Sequence, residues 1–196
     1  MMGKEYSKYS DKQLFENCRS NLISKDELFT ELYMRYSHRI YAYCLRILSS
    51  EDDAKDVFQE TFIGFYKSDK FQKLDFYNIS IFGYLLISSR NLCLNCKRAR
   101  KNFVAVDELL DSFNNSRYEE KELLQLISMS LEFLDFQHRE TFVLHQYEGL
   151  SYTEIAEITD SKASTVRNRV WRAKDKIRKI LAPYIDDLNR NMKVNV

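Results

Sequence analysis

The chain has little of what a fold rich in β-strands requires, since its 196 residues include only four Gly and one Pro. Tight turns between strands depend heavily on these two residues, so the composition excludes a sandwich or barrel of many strands. Hydrophobic residues make up 44% of the chain and charged residues 30%, which suits a globular protein with one or two cores. We therefore predict an all-α protein.

The sequence also lacks a long apolar run. No stretch approaches the roughly 20 apolar residues that span a bilayer, and residues 1–10 are polar, unlike a signal peptide. We expect a cytoplasmic protein whose Cys18, Cys44, Cys93 and Cys96 are reduced thiols. Cys93 and Cys96 have the spacing of half a zinc site, but packing in a helical core is the favoured interpretation, since no second pair completes four ligands.

No residue pattern in the sequence points to catalysis. The three His residues have no neighbouring nucleophile or carboxylate pattern, and a Gly-rich phosphate loop is absent from the sequence. We therefore expect no enzymatic activity, no catalytic residues, no metal, no cofactor and no small-molecule substrate.

The net charge of +1 hides a segregation of charge along the chain. Residues 90–101 hold five cations and no acid, and residues 162–179 hold eight cations and one acid. Between these two basic stretches, residues 103–126 hold six acids and two cations. The predicted organisation is two helical domains, 10–101 and 120–186, joined by an acidic linker over 102–119.

The spacing of apolar residues predicts seven or eight helices. Ser24 and Glu27 form a capping-box pattern before a long helix that ends at Leu48. Ser50 or a neighbouring acid is placed to cap the next helix, over 52–66. The remaining helices are predicted over residues 79–101, 120–134, 137–147, 151–158 and 163–181.

Residues 149–181 have the spacing of a helix-turn-helix, in which Ser151 caps the first helix and the second helix is basic. A stripe from Val166 to Leu181 forms the buried side of the second helix. Its outer side carries residue types that suit base edges and phosphates in a major groove: Ser164, Thr165, Arg167, Asn168, Arg169 and Arg172. Trp171 lies on the outer half of this helix, where packing against a neighbouring helix is favoured over a base contact.

The predicted helix over 79–101 combines basic and aromatic side chains on the side away from its core stripe. Such a surface suits single-stranded nucleic acid, because aromatic rings stack on bases and cations neutralise phosphates. A merely solvated helix end is the alternative. The residues concerned are Tyr84, Arg90, Asn91, Lys97, Arg98 and Lys101.

The outer face of the helix over 52–66 is acidic. It carries Asp56, Gln59 and Glu60 around Ile63. Carboxylates would repel phosphate, so this face favours a protein partner over nucleic acid, although a solvated acidic face fits the same residues.

Several of these segments resemble one bacterial family, the extracytoplasmic-function (ECF) sigma factors. Residues 53–62, Asp-Ala-Lys-Asp-Val-Phe-Gln-Glu-Thr-Phe, resemble region 2.2 of that family. Residues 148–157 and 165–173 resemble region 4.2, and Arg90-Asn91-Leu92 with the basic run after it is similar to regions 2.3 and 2.4. The similar segments follow the family's order over about 10–181.

The resemblance implies a subunit that binds core RNA polymerase and promoter DNA. It places Asp56, Gln59, Glu60 and Ile63 at the polymerase. It places Arg100, together with the basic and aromatic residues of 79–101, at the minus-10 element. It places the outer residues of the second helix of the helix-turn-helix at the minus-35 element. The acidic linker would lie in the nucleic-acid channel of the polymerase. The family often includes an anti-sigma factor partner, although no residue here identifies one.

Two other functions remain open from the sequence alone. One is a helix-turn-helix regulator that binds an operator as a dimer without polymerase, with residues 10–101 as a sensing domain. The other is a metal or thiol enzyme that uses Cys93 and Cys96. Duplex binding in the absence of polymerase would favour the first, and stoichiometric zinc would favour the second.

Overall fold

The predicted all-α class is confirmed, since the described residues are predominantly helical. The computed structural model describes residues 6–76, 80–103 and 119–194, and these residues include no strand. The chain divides into two compact units, Met1–Ala105 and Val106–Val196. Most of the predicted linker, 102–119, lies outside the described residues.

The first unit contains five helices among its described residues. The first helix of this unit and its short fourth helix were not foreseen, and the helix predicted over 79–101 is shifted by two residues toward the C-terminus. The bounds are α1 Asp11–Arg19, α2 Lys25–Leu48, α3 Glu51–Lys67, α4 Asp69–Gln72 and α5 Ile81–Phe103.

The second unit contains four helices among its described residues: α6 Glu119–Glu132, α7 Phe136–Gln146, α8 Tyr152–Thr159 and α9 Ala163–Val194. The prediction that the last helix ends at 181 was wrong. Helix α9 continues through Pro183, which removes one backbone donor but leaves the helix unbroken.

Side-chain caps determine where these helices begin. The capping box predicted at the start of α2 is confirmed: the Ser24 N–H donates to Glu27 Oε2 over 2.8 Å, and the Glu27 N–H donates to Ser24 Oγ over 3.1 Å. The hydrogen bonds from Ser24, first from its backbone N–H, hold the pKa of Glu27 below its usual value. Ser50 and Ser151 cap α3 and α8 as predicted.

The core of the first unit lies where α2, α3 and α5 pack against one another. Leu32 and Ile40 of α2 and Leu85 of α5 are completely buried there. Cys93 is also completely buried on α5, whereas Cys96, one turn later, is partly exposed.

A polar cluster attaches α1 to α2. The Arg35 guanidinium lies 2.8 Å from a Glu31 carboxylate oxygen and 2.9 Å from an Asp11 carboxylate oxygen, and it also donates to the Tyr6 carbonyl. The Tyr36 hydroxyl donates to the other Asp11 oxygen. Burial, together with this hydrogen bond, raises the pKa of Tyr36, so the phenol remains a neutral donor at physiological pH.

The second unit is built around a helix-turn-helix formed by α8 and α9. The predicted core stripe on α9 is confirmed, since its residues from Val166 to Leu181 are buried. The turn is closed by the backbone, because Asp160 adopts a left-handed conformation at φ 50° and the Ser161 N–H donates to the Ala156 carbonyl over 2.9 Å. This tight turn fixes the direction in which α9 leaves α8.

Across the described residues, none of the helices combines the length and the apolar character needed to cross a bilayer.

Candidate protein and nucleic-acid interfaces

Helix α3 presents the predicted acidic stripe to solvent. Asp56, Gln59, Glu60 and Ile63 are all exposed, and their spacing places them on one face of the helix. On the opposite face, Ala54 and Phe65 are buried in the core, and this burial fixes the orientation of the helix. Ile63 is 52% exposed, so an apolar side chain lies among polar groups at the end of this acidic stripe.

The acidic stripe borders a groove between α2 and α3. The groove has a volume of about 560 Å³ and is predominantly apolar. Gln59 and Ile63 belong both to the acidic stripe and to the groove lining, while Asp26 and Lys67 provide charged groups in that lining. A partner that contacts the acidic stripe therefore meets apolar surface immediately beside it.

Aromatic rings form most of the groove wall. Tyr33 and Phe62 lie 4.9 Å apart between ring centroids, and Phe29 and Tyr66 lie 5.0 Å apart, both pairs edge to face. Tyr66 also donates a hydrogen bond to Asp26 over 2.8 Å. These edge-to-face contacts fix the rings of the groove wall relative to one another. We refer to it as the aromatic groove.

The aromatic groove was not predicted, although the sequence contains a signal for it. Phe58, Phe62 and Tyr66 recur every four residues on α3, and Phe29 and Tyr33 have the same spacing on α2. Residues four apart lie on one side of a helix. Two such aromatic rows, on helices that are close in sequence, could therefore have predicted that α2 and α3 pack with these rings facing each other.

Only some of the residues predicted to form the minus-10 surface on α5 are exposed. Asn91 and Arg98 are exposed, whereas Arg90 and Lys97 are partly buried. Tyr84 packs against Phe76 with ring centroids 5.4 Å apart, so one side of its ring contacts the core. The side chains of the remaining two predicted residues, Arg100 and Lys101, lie outside the described residues.

Tyr84, Asn91 and Arg98 follow one another at intervals of seven residues, so they form one line along α5. Ile87, which was not among the predicted residues, is 43% exposed on the same side of the helix. An exposed apolar residue beside a tyrosine and an arginine adds contact area for a base.

On α9, the predicted base-contacting residues share a face. Ser164, Arg167, Asn168 and Arg172 are exposed, and Thr165 is partly buried. The Arg167 guanidinium lies 5.6 Å from the centre of the Tyr152 ring, at the start of α8. That ring in turn lies 4.5 Å from the His145 ring of α7. The first turns of α9 are thus positioned by both neighbouring helices.

Arg169 differs from the other predicted residues. Its guanidinium donates to Ser161 Oγ over 3.1 Å and to Gln137 Oε1 over 2.8 Å. These bonds connect α9 to the turn before it and to α7. Two of its five N–H donors are therefore used within the unit, and the base contact expected of Arg169 stays a prediction.

Trp171 is the clearest departure from the sequence-based expectations. Its side chain is 67% exposed, so the prediction that it packs against a neighbouring helix was wrong. Its neighbours Val170 and Ala173 are buried, and they hold α9 against the core. Trp171 consequently points to solvent.

Two family models match the chain, one in each unit. Residues 32–103 match Sigma-70 region 2, and residues 124–177 match Sigma-70, region 4. The first match contains the acidic stripe, the surface on α5 and most of the aromatic groove, and the second contains the helix-turn-helix. The chain therefore belongs to the sigma-70 family of RNA polymerase sigma factors.

Curated relatives place it more narrowly. The chain is 29% identical over 164 residues to the ECF RNA polymerase sigma factor SigE of Mycolicibacterium smegmatis, an alignment that covers 79% of this chain and 62% of SigE. It is 28% identical over 169 residues to the ECF RNA polymerase sigma-E factor of Escherichia coli (strain K12), covering 80% and 88% of the two chains. This protein is an ECF sigma factor.

Two solved structures share its fold. The sigma factor RpoE from Bartonella quintana, in complex with the anti-sigma factor NepR, has a TM-score of 0.66 at 23% identity, over 79% of this chain and 96% of that chain. CnrH, in complex with the cytosolic domain of CnrY, has a TM-score of 0.61 at 21% identity, over 88% and 97%.

Proposed function

We propose that this ECF sigma factor binds core RNA polymerase through the acidic stripe of α3 and the adjoining aromatic groove. The acidic side chains, Asp56 and Glu60, would pair with cations of the polymerase. Ile63 and the groove rings would supply the buried apolar area. Polar and apolar groups so arranged match the anatomy of a specific protein interface, an apolar core with a polar rim.

The same proposal assigns α5 to the minus-10 element. Tyr84, Asn91 and Arg98 lie in one line, which suits a melted strand whose bases stack while its phosphates meet cations. Because Tyr84 packs one side of its ring on Phe76, it would offer only its remaining surface to a base.

The helix-turn-helix is assigned to the minus-35 element. Asn168 and Arg172 are exposed on the N-terminal half of α9, where side chains of a recognition helix reach base edges. Asn suits adenine and Arg suits guanine in the major groove. Ser164 and Arg167 would contact phosphates beside them, which fixes the register of the helix.

Replacing Arg169 by Ala should destabilise the second unit by about 1 to 2 kcal/mol, because two hydrogen bonds between α9 and its neighbours are lost. Affinity for DNA should then fall by a similar factor on every promoter sequence. Urea unfolding followed by circular dichroism measures the first effect.

Arg172→Ala is the matched control for Arg169→Ala. Arg172 is exposed, so its loss should leave stability unchanged and weaken binding at one base pair only. If Arg169→Ala instead leaves stability unchanged and alters preference at a single base pair, Arg169 is a base contact and the bracing role is wrong.

The proposal is carried by one observation: a single chain combines a region 2 match that exposes an acidic stripe beside an apolar groove with a region 4 match that exposes a basic recognition helix. A sigma factor needs both surfaces, since it must hold the polymerase and the promoter together. It would act in the cytoplasm, where both partners occur. An anti-sigma factor stays a predicted partner, since the family often includes one.

Run-off transcription tests the proposal. The purified chain, mixed with bacterial core polymerase and fragments of its own genome, should direct transcripts from discrete start sites that neither component yields alone. Tight duplex binding without polymerase, together with no transcripts when polymerase is present, would instead favour the dimeric regulator.

A further inference from the structure

The exposed indole of Trp171 has no evident structural purpose. The residue is 67% exposed, although burying a large aromatic side chain stabilises a fold. Its neighbours along the chain show that this exposure follows from the fold: Val170 is 1% exposed and Ala173 is completely buried. Helix α9 cannot rotate to bury the indole without exposing its own core stripe.

Trp171 shares its helix face with the residues proposed to contact DNA. Asn168 lies three residues before it, Arg167 four and Ser164 seven, and these spacings bring side chains to one side of a helix. All three of these residues are exposed. A partner that contacts Asn168 and Ser164 therefore also meets the indole.

The charge around Trp171 indicates the chemistry of that partner. Arg167, Arg172, Lys174 and Arg178 are exposed within one or two turns of it. The nearby acid, Asp175, forms an ion pair with Lys179 over 2.8 Å. A flat apolar side chain surrounded by cations suits duplex DNA, which presents phosphates along the groove edges and thymine methyl groups in the major groove.

We propose that Trp171 is a specificity-determining residue that packs its indole against the C5-methyl group of a thymine in the minus-35 element. This inference rests on the proposed function of α9. The helix rises about 1.5 Å per residue, so Trp171 lies about 4.5 Å beyond Asn168 along the axis. That distance is close to one base-pair step of about 3.4 Å. The thymine therefore belongs to the base pair next to the one that Asn168 contacts.

Uracil substitution tests the contact, because uracil lacks only the methyl group of thymine. The full chain is assembled with core polymerase, and its preferred duplex is selected from a random library. Affinity is then measured for that duplex and for versions in which each thymine is replaced by uracil. Replacing one particular thymine should weaken wild-type binding about fourfold, which is the loss of affinity expected when one buried methyl group is removed. The same replacement should have no effect on the Trp171→Ala variant.

Tyr184→Ala is the matched control, since Tyr184 is another exposed aromatic residue of α9, at 49% exposure. It should keep the full uracil effect. Equal uracil effects in wild type and Trp171→Ala, or a selected element without thymine, would overturn the proposal. So would a Trp171→Ala variant that binds core polymerase more weakly in the absence of DNA, because the indole would then contact protein. If no holoenzyme forms, the proposed function itself fails, and this inference with it.

Discussion

Changing both Asp56 and Glu60 to Lys is expected to weaken binding to core RNA polymerase by more than about 100-fold. The two carboxylates lie one helical turn apart on the exposed face of α3. If they pair with cations of the polymerase, reversal replaces two attractions by two repulsions, and like charges across an interface cost several kcal/mol. A 100-fold loss needs only about 2.7 kcal/mol. Affinity measured with labelled sigma factor and core polymerase gives the result.

Glu16→Lys is the matched control for this double change. Glu16 is an exposed acid on α1, away from the acidic stripe, and Lys is favourable in the last turn of a helix. It should leave polymerase affinity unchanged. Both variants should unfold at the same urea concentration as wild type, since exposed charges contribute little to stability. An unchanged affinity of the Asp56 and Glu60 double variant would show that α3 does not bind the polymerase through this face.

Local signals in the sequence were sufficient for most helix starts and for the main core stripes. Ser24, Ser50 and Ser151 cap helices where predicted, because a cap depends on residues within one turn of itself. The stripe from Val166 to Leu181 is buried as predicted, because a core on one side of a helix leaves a fixed period in its sequence. These features need no knowledge of tertiary contacts.

Features that depend on two elements at once were missed. The hydrogen bond between Arg169 and Gln137, 32 residues earlier, could not be predicted, because helical spacing does not distinguish Arg169 from Arg172. The aromatic groove needs α2 beside α3, which one helix cannot reveal. Trp171 was expected to pack against a neighbouring helix, yet the described residues leave it 67% exposed. In each case the deciding fact is a distance between residues far apart in sequence.

The cluster around Arg35 leads to the largest expected change in stability. Arg35→Met should lower the stability of the first unit by about 3 kcal/mol, because Glu31, only 5% exposed, loses the cation 2.8 Å away and stays buried. Breaking a buried ion pair by removing one partner costs about 3 to 5 kcal/mol, and Arg35 is 20% exposed, which moves the expected value to the lower end. Urea unfolding followed by circular dichroism gives the difference.

Two further variants separate loss of charge pairing from loss of packing. Combining Arg35→Met with Glu31→Leu should restore most of the stability, since replacing both members of a buried pair by apolar groups is often close to neutral. Lys12→Met, which breaks an exposed pair with Glu16 on α1, should cost less than about 0.5 kcal/mol. If the combined variant is no more stable than Arg35→Met alone, the uncompensated Glu31 charge is not the cause. The stabilisation would then come from the bonds of Arg35 to Asp11 and Tyr6, which attach α1 to α2.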